Sequence, residues 1–132
     1  MNDIKVLFEL QSTSDEISSE IIFTLNKGKS TIRFHYNDEN MIEKAFYLEV
    51  TNVFKFIFTS DSACSPFQIE AAYEQLIIIN NSVLLEEVKH NAEVLDSIID
   101  KATNHFMLYI PDYGCYEFIA EHIFWDFQNK KL

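Results

Sequence analysis

His105-Phe-Met-Leu-Tyr-Ile110, then Pro111-Asp-Tyr-Gly114, then Cys115-Tyr-Glu-Phe-Ile-Ala-Glu-His-Ile-Phe-Trp-Asp-Phe127: these consecutive pieces decide the fold. Proline presets φ for the second position of a turn, and glycine accepts the positive φ that a closing residue often needs. Both flanks are rich in aromatic and β-branched side chains, which suit a pleated, half-buried surface. The stretch therefore predicts a terminal β-hairpin with a four-residue connection. Its second strand, about eleven to thirteen residues long, alternates imperfectly, so both of its faces are expected to be at least partly covered.

Working back from the hairpin, Ser82 is a fair N-cap, because Glu86 and Glu87 follow where carboxylates suit the helix dipole. Leu84, Leu85, Val88, Val94, Leu95, Ile98 and Ile99 recur at three- and four-residue spacing, so a helical segment is predicted to about Lys101, with a break near His90-Asn91. Upstream of it, Ile69 to Ile79 reads as β-like. That segment ends in Leu76-Ile-Ile-Ile79, a buried strand or a helix end by length. Ser60 to Pro66 reads as a loop. From Phe46 to Thr59 the apolar residues fall on even positions (Phe46, Leu48, Val50, Phe54, Phe56, Phe58), interrupted at Asn52, a candidate bulge in one long strand. Two shorter strands parted near Thr51-Asn52 are the alternative. Ile32, Phe34 and Tyr36 share one face of a strand over 31–36, joined to 17–25 through the glycine-containing connection Asn26-Lys-Gly-Lys-Ser30. Asp3 to Leu10 is a first strand and 11–16 a polar loop. The expected architecture is α+β: an antiparallel sheet of about six strands, with a helical segment inserted before the C-terminal β-hairpin. Its 132 residues form one domain, 1–132, large enough for a real core.

Charge separates the function classes. Acids outnumber bases 21 to 10, giving a net charge of −11. Residues 60–128 hold twelve acids against Lys89 and Lys101 alone, whereas 1–59 hold nine acids and six bases. Phosphate recognition runs on Lys and Arg, and Arg33 is the single arginine, so direct nucleic-acid binding is not expected. A one-signed field suits capture of a basic protein. The bland alternative is solubility. No run of 18 apolar residues appears, and the first residues lack a basic region ahead of an apolar one. Cytoplasmic residence without membrane attachment is therefore expected. Cys64 and Cys115 are too few for a disulfide framework and are expected to be buried free thiols.

No catalytic motif is evident. His35, His90, His105 and His122 form no metal-binding pair by spacing, and Gly28 and Gly114 stand apart from any phosphate-cradling loop. Cys115 could meet His105 or His122 across the hairpin, but nothing nearby lowers its pKa. Glu117 and Glu121, on one strand side, read as a solvated edge before a carboxylate pair for acid–base work. Trp125, Phe124 and Phe127 read as core packing, or as an exposed interface anchor. No enzyme, cofactor or metal is expected.

The order Asn81-Ser82-Val-Leu-Leu-Glu-Glu87, His105-Phe106-x-x-Tyr109, an Asp-containing turn and Tyr116-Glu117-Phe-Ile-Ala120-Glu resembles a group of small bacterial proteins. They are encoded beside polymorphic and contact-dependent growth inhibition toxins. Their pattern runs Asp-Ser-x-Trp-Leu-x-Glu, then His-Tyr, then an Asp-rich turn and a Tyr-Glu-hydrophobic-Ala strand. Asn81, Leu84 and Phe106 depart from that pattern. The resemblance covers about residues 46–127 and implies a cytoplasmic immunity protein that sequesters one cognate toxin domain, often a nuclease. His105 and Glu117 are then structural partners near the hairpin mouth. By charge density, the expected partner-binding residues are Glu86, Glu87, Glu93, Asp96 and Asp100 on the helical segment, with Asp112, Glu117 and Glu121 on the hairpin. The protein is expected to be a monomer or weak homo-oligomer. The alternatives are an acidic nucleic-acid mimic that blocks a DNA-binding enzyme, as in anti-defence, and a small-molecule-binding regulatory domain.

Overall fold

The computed structural model describes residues 3–10, 16–94 and 103–129. In chain order its elements are β1 (Ile4–Glu9), β2 (Ile22–Asn26), β3 (Lys29–Asn37), β4 (Glu43–Ser60), a 3-10 turn (Asp61–Ala63), α1 (Pro66–Ala71), β5 (Gln75–Ile79), α2 (Val83–Val94), β6 (Asn104–Ile110) and β7 (Gly114–Asn129). The class is α+β. The single antiparallel sheet has seven strands in the order β1-β5-β6-β7-β4-β3-β2. Leu76-Ile-Ile-Ile79 resolves as strand, and it supplies the pairing surface for β1.

Two strands are far longer than the rest, and they organise the sheet. β3 pairs with β4 only up to Val50, and β6 pairs with β7 only up to Ala120. β4 and β7 pair with each other throughout. One half of the sheet is therefore β1, β5, β6 and the adjoining parts of β7 and β4. The other is β2, β3 and the remaining lengths of the same two strands. Between the halves the β4–β7 register slips by one residue, between Val53 and Lys55. Asn52, just before the slip, has φ +54°, and its side-chain amide donates to Glu121 Oε2 at 2.9 Å. The Val53 amide turns away to the Gly28 carbonyl at the tip of the β2–β3 hairpin, 2.8 Å distant. A bulge in a shared strand is how a sheet turns a corner and packs against itself.

Ring contacts show the closure. Phe8 on edge strand β1 meets Phe46 of β4 and Trp125 and Phe127 of β7. Phe23 on the opposite edge strand, β2, stacks on Phe56 with centroids 4.4 Å apart. Between the halves lies the main core, with Ile32, Phe34 and Tyr36 of β3 facing Phe106, Leu108 and Ile110 of β6. A smaller cluster of Ala72, Ile77, Ile79, Met107, Tyr109 and Cys115 fills the other side of the first half, against α1.

The corner corrects the even-position reading of β4. Phe46, Leu48 and Val50 are buried and Phe56 packs on the core, but at the bulge Val53 takes the inward place and Phe54 is 44% exposed. Phe58 is 47% exposed although its ring lies 5.1 Å from that of Tyr116. Trp125 and Phe127 pack on the core, whereas Phe124 faces outward beside Tyr47. The span 69–79 is not continuous strand either. Ser65 accepts from the Gln68 amide while Gln68 accepts from the Ser65 amide, and with Pro66 in the first turn this capping box starts α1. The loop expected at 60–66 accordingly holds the 3-10 turn and the start of this helix. The connections are tighter than expected. Lys27 and Gly28, both at positive φ, alone join β2 to β3, and β7 begins at Gly114 itself. The helical reading of 95–101 and the loop at 11–15 lie outside the described residues.

Gly114 closes the terminal hairpin at φ +144°, with Phe58 ring carbons 2.8 Å from where a Cβ would sit and the Thr59 carbonyl oxygen nearer still. Gly114→Ala should therefore cost about 2–4 kcal/mol, combining backbone strain with displaced β4 backbone. Urea unfolding checks this, and a loss under ~0.5 kcal/mol would contradict the packing described.

Candidate functional site

On the outer side of the first half, four side chains far apart in sequence form one hydrogen-bonded row. The β6–β7 register sets His105 opposite Ile119 and Met107 opposite Glu117, which makes His105 and Glu117 diagonal neighbours on one face. His105 Nε2 lies 2.8 Å from Glu117 Oε1. His105 Nδ1 lies 2.6 Å from Ser82 Oγ. Gln68, held in α1 by its capping box, donates from Nε2 to Glu117 Oε2 at 2.9 Å. Ser82 also caps α2, its hydroxyl oxygen accepting the Leu85 amide at 3.1 Å.

The polarity of the row follows from its ends. An ionised carboxylate only accepts, so in the neutral imidazole Nε2 carries the proton and Nδ1 receives the Ser82 hydroxyl. Glu117 is 8% exposed and Ser82 3%. Burying the Glu117 carboxylate is tolerable because His105 and Gln68 both donate to it. The same charge, after burial itself, pushes the Cys115 thiol well above its ordinary range. Burial, then the Asp61 carboxylate, also raises the Cys64 thiol. The row borders a cavity of about 350 Å³, with the first turns of α1 and α2 at its rim and Ile79 and Met107 among its walls.

At the far end of β6 a second polar cluster fixes the turn. Asp61 takes the Tyr109 hydroxyl on one carboxylate oxygen and the Asp112 amide, at 3.2 Å, on the other. The hydrogen bond to Asp61 and then burial raise the Tyr109 phenol.

The expected partner-binding acids divide. Glu86, Glu87 and Glu93 are exposed on α2, while Asp96 and Asp100 lie outside the described residues. Asp112 is exposed in the β6–β7 turn, roughly 17 Å along β6 from His105 at the strand rise of about 3.4 Å per residue. Glu121 is half-buried against Asn52 at the corner. Glu117 is corrected. β7 is an interior strand, so the solvated edge expected there does not exist, and its carboxylate is taken up by His105 and Gln68. His105 and Glu117 do pair, as the motif resemblance implies. With both ring nitrogens of His105 engaged, it leaves Cys115 without a base. Gln68 escaped the sequence reading. Its only signal was Ser65-Pro66-x-Gln68, a capping box.

Among the described residues no group of three or more His, Cys, Asp and Glu is placed to hold a metal, and no helix is long and apolar enough to cross a membrane. Comparison with protein-family models, curated proteins and solved structures finds no match to this chain.

Two outcomes follow from this geometry. Glu117→Ala, which strands a buried donor on His105 and takes one of two acceptors from Gln68 Nε2, should destabilise by about 3 kcal/mol in urea titration, and a cost under ~1 kcal/mol would contradict the row. With both thiol pKa values raised, neither cysteine of the folded chain should react quickly with a thiol-exchange reagent near neutral pH, whereas both should react after unfolding.

Proposed function

We propose that this chain is an immunity-type protein that binds and neutralises one cognate toxin domain, a basic one of the nuclease kind, through carboxylates on α2. The observation that carries the reading is the exposed set Glu86, Glu87 and Glu93, borne on a helix whose first turn is tied to the sheet by Ser82 and His105. A fixed helix presents its charges in one geometry, which favours steered encounter and discrimination among partners. The motif residues Ser82, His105 and Glu117 meet in that tie, in keeping with a signature that defines a fold while the surface defines the partner. Asp112, in the turn braced by Asp61, offers a further acidic contact. The work of the protein is binding in the cytoplasm, with no cofactor.

Surface plasmon resonance against the toxin domain encoded beside this chain tests the reading. The triple change Glu86→Lys, Glu87→Lys and Glu93→Lys should slow association by roughly tenfold to a hundredfold at low salt, and raising the salt should slow the parent chain likewise. An association rate indifferent to both would overturn it. Capture of a DNA-binding enzyme in place of the toxin would support the nucleic-acid-mimic alternative.

A further inference from the structure

The row built by Ser82, His105 and Glu117 has more in it than a helix clamp. A hydroxyl, an imidazole and a carboxylate stand in series at 2.6 Å and 2.8 Å. That is the connectivity by which hydrolases activate serine, recognised by geometry and roles whatever the fold or chain order. The imidazole is turned, with Nδ1 toward the hydroxyl and Nε2 toward the carboxylate. Proton transfer needs only a lone pair in line with the O–H, and a carboxylate on the far nitrogen steadies the resulting imidazolium from either side. Glu117 is itself held by Gln68, so the third member is oriented as well as charged.

The surroundings supply the remaining parts. Leu85 donates to Ser82 Oγ and Glu86 to the Ser82 carbonyl, which leaves the first-turn amides of Val83 and Leu84 without a carbonyl inside the helix. Both residues border the cavity beside Ser82. Amides following the nucleophile at a helix N-terminus are where a developing oxyanion is stabilised. At about 350 Å³, with Phe67, Ile79, Leu84 and Met107 among its walls beside the polar row, the cavity is sized for a small acyl group.

We propose that Ser82 is a nucleophile for acyl transfer, taking a short apolar acyl group from an ester. The Ser82 oxygen attacks the ester carbonyl while its proton passes to His105 Nδ1. The carbon–oxygen bond to the alcohol breaks, and the alcohol leaves with the proton from His105. Water, deprotonated by the same nitrogen, then releases the acid and restores the hydroxyl. This activity uses a site apart from the α2 carboxylates and does not rest on the toxin-binding reading.

A fluorophosphonate, which reacts preferentially with activated serine hydroxyls, is the probe. Incubation with the full chain followed by peptide mass spectrometry should place a single adduct on Ser82. Ser82→Asn removes the hydroxyl but keeps an N-capping side chain, so it should abolish the adduct in a chain that still folds by circular dichroism. His105→Gln should slow labelling at least ~100-fold. With p-nitrophenyl butyrate, an initial burst of nitrophenol should appear in the parent chain and vanish in Ser82→Asn. No adduct on Ser82 of the folded parent, under conditions that label a known serine hydrolase, would overturn the proposal. So would a labelling rate unchanged in a folded His105→Gln variant.

Discussion

The β4–β7 ladder is the constraint on which the rest depends. A sheet with one buried face must find something to cover it. Among the described residues the helices, of six and twelve residues, are too short to cover a sheet of seven strands. The solution is to run two long strands through both halves and bend them together near Asn52 and Glu121, so that one half covers the other. Asn52 suits the bend because asparagine tolerates positive φ better than most residues, and its amide reaches the neighbouring strand. The aromatic content then has a place. Phe8, Phe23, Phe46, Phe56, Trp125 and Phe127 are large enough to bridge the halves from the edges.

That bend also decides where polar groups can go. The inner side is apolar and rich in aromatic rings. Burial, and then Tyr113, push the Tyr116 phenol up to about 12. Among the described residues no helix covers the outer side of the second half, which carries the Lys29–Glu49 ion pair and the Tyr47 hydroxyl bonded to Glu49. On the outer side of the first half lie α1 and the first turn of α2. There the buried Glu117 is solvated by side chains from β6 and α1 in place of water. Stability, the placement of α2 and the reactivity proposed for Ser82 all draw on this one arrangement.

Much of the scaffold was legible. The terminal hairpin, the alternation of Ile32, Phe34 and Tyr36 and the cap at Ser82 each rest on a local rule that the fold leaves intact, and the bulge expected at Asn52 falls just after it, between Val53 and Lys55. What failed was the assumption that a period-2 pattern stays on one face. Phe54 sits at the expected parity, yet at the corner Val53 takes its place against the core, and only tertiary closure reveals that. α1 was hidden for a different reason. It has six residues, too short for helical periodicity to show, and Phe67 and Ile69 read as readily in a strand. The site was the least legible part. Ser82, His105 and Glu117 are separated by 23 and 12 positions, so their meeting depends on register and helix placement. Glu117 looked like a surface acid because composition cannot distinguish an interior strand from an edge.

The account stands or falls on whether the two halves form one cooperative unit through β4 and β7, and native-state hydrogen exchange measures that directly. Amides of Leu48 and Trp125 on one side of the corner, and of Phe118 and Leu108 on the other, are predicted to exchange through a single opening close to the global unfolding free energy. Protection in the two halves that differs by more than ~2 kcal/mol, with one half opening while the other stays closed, would contradict it.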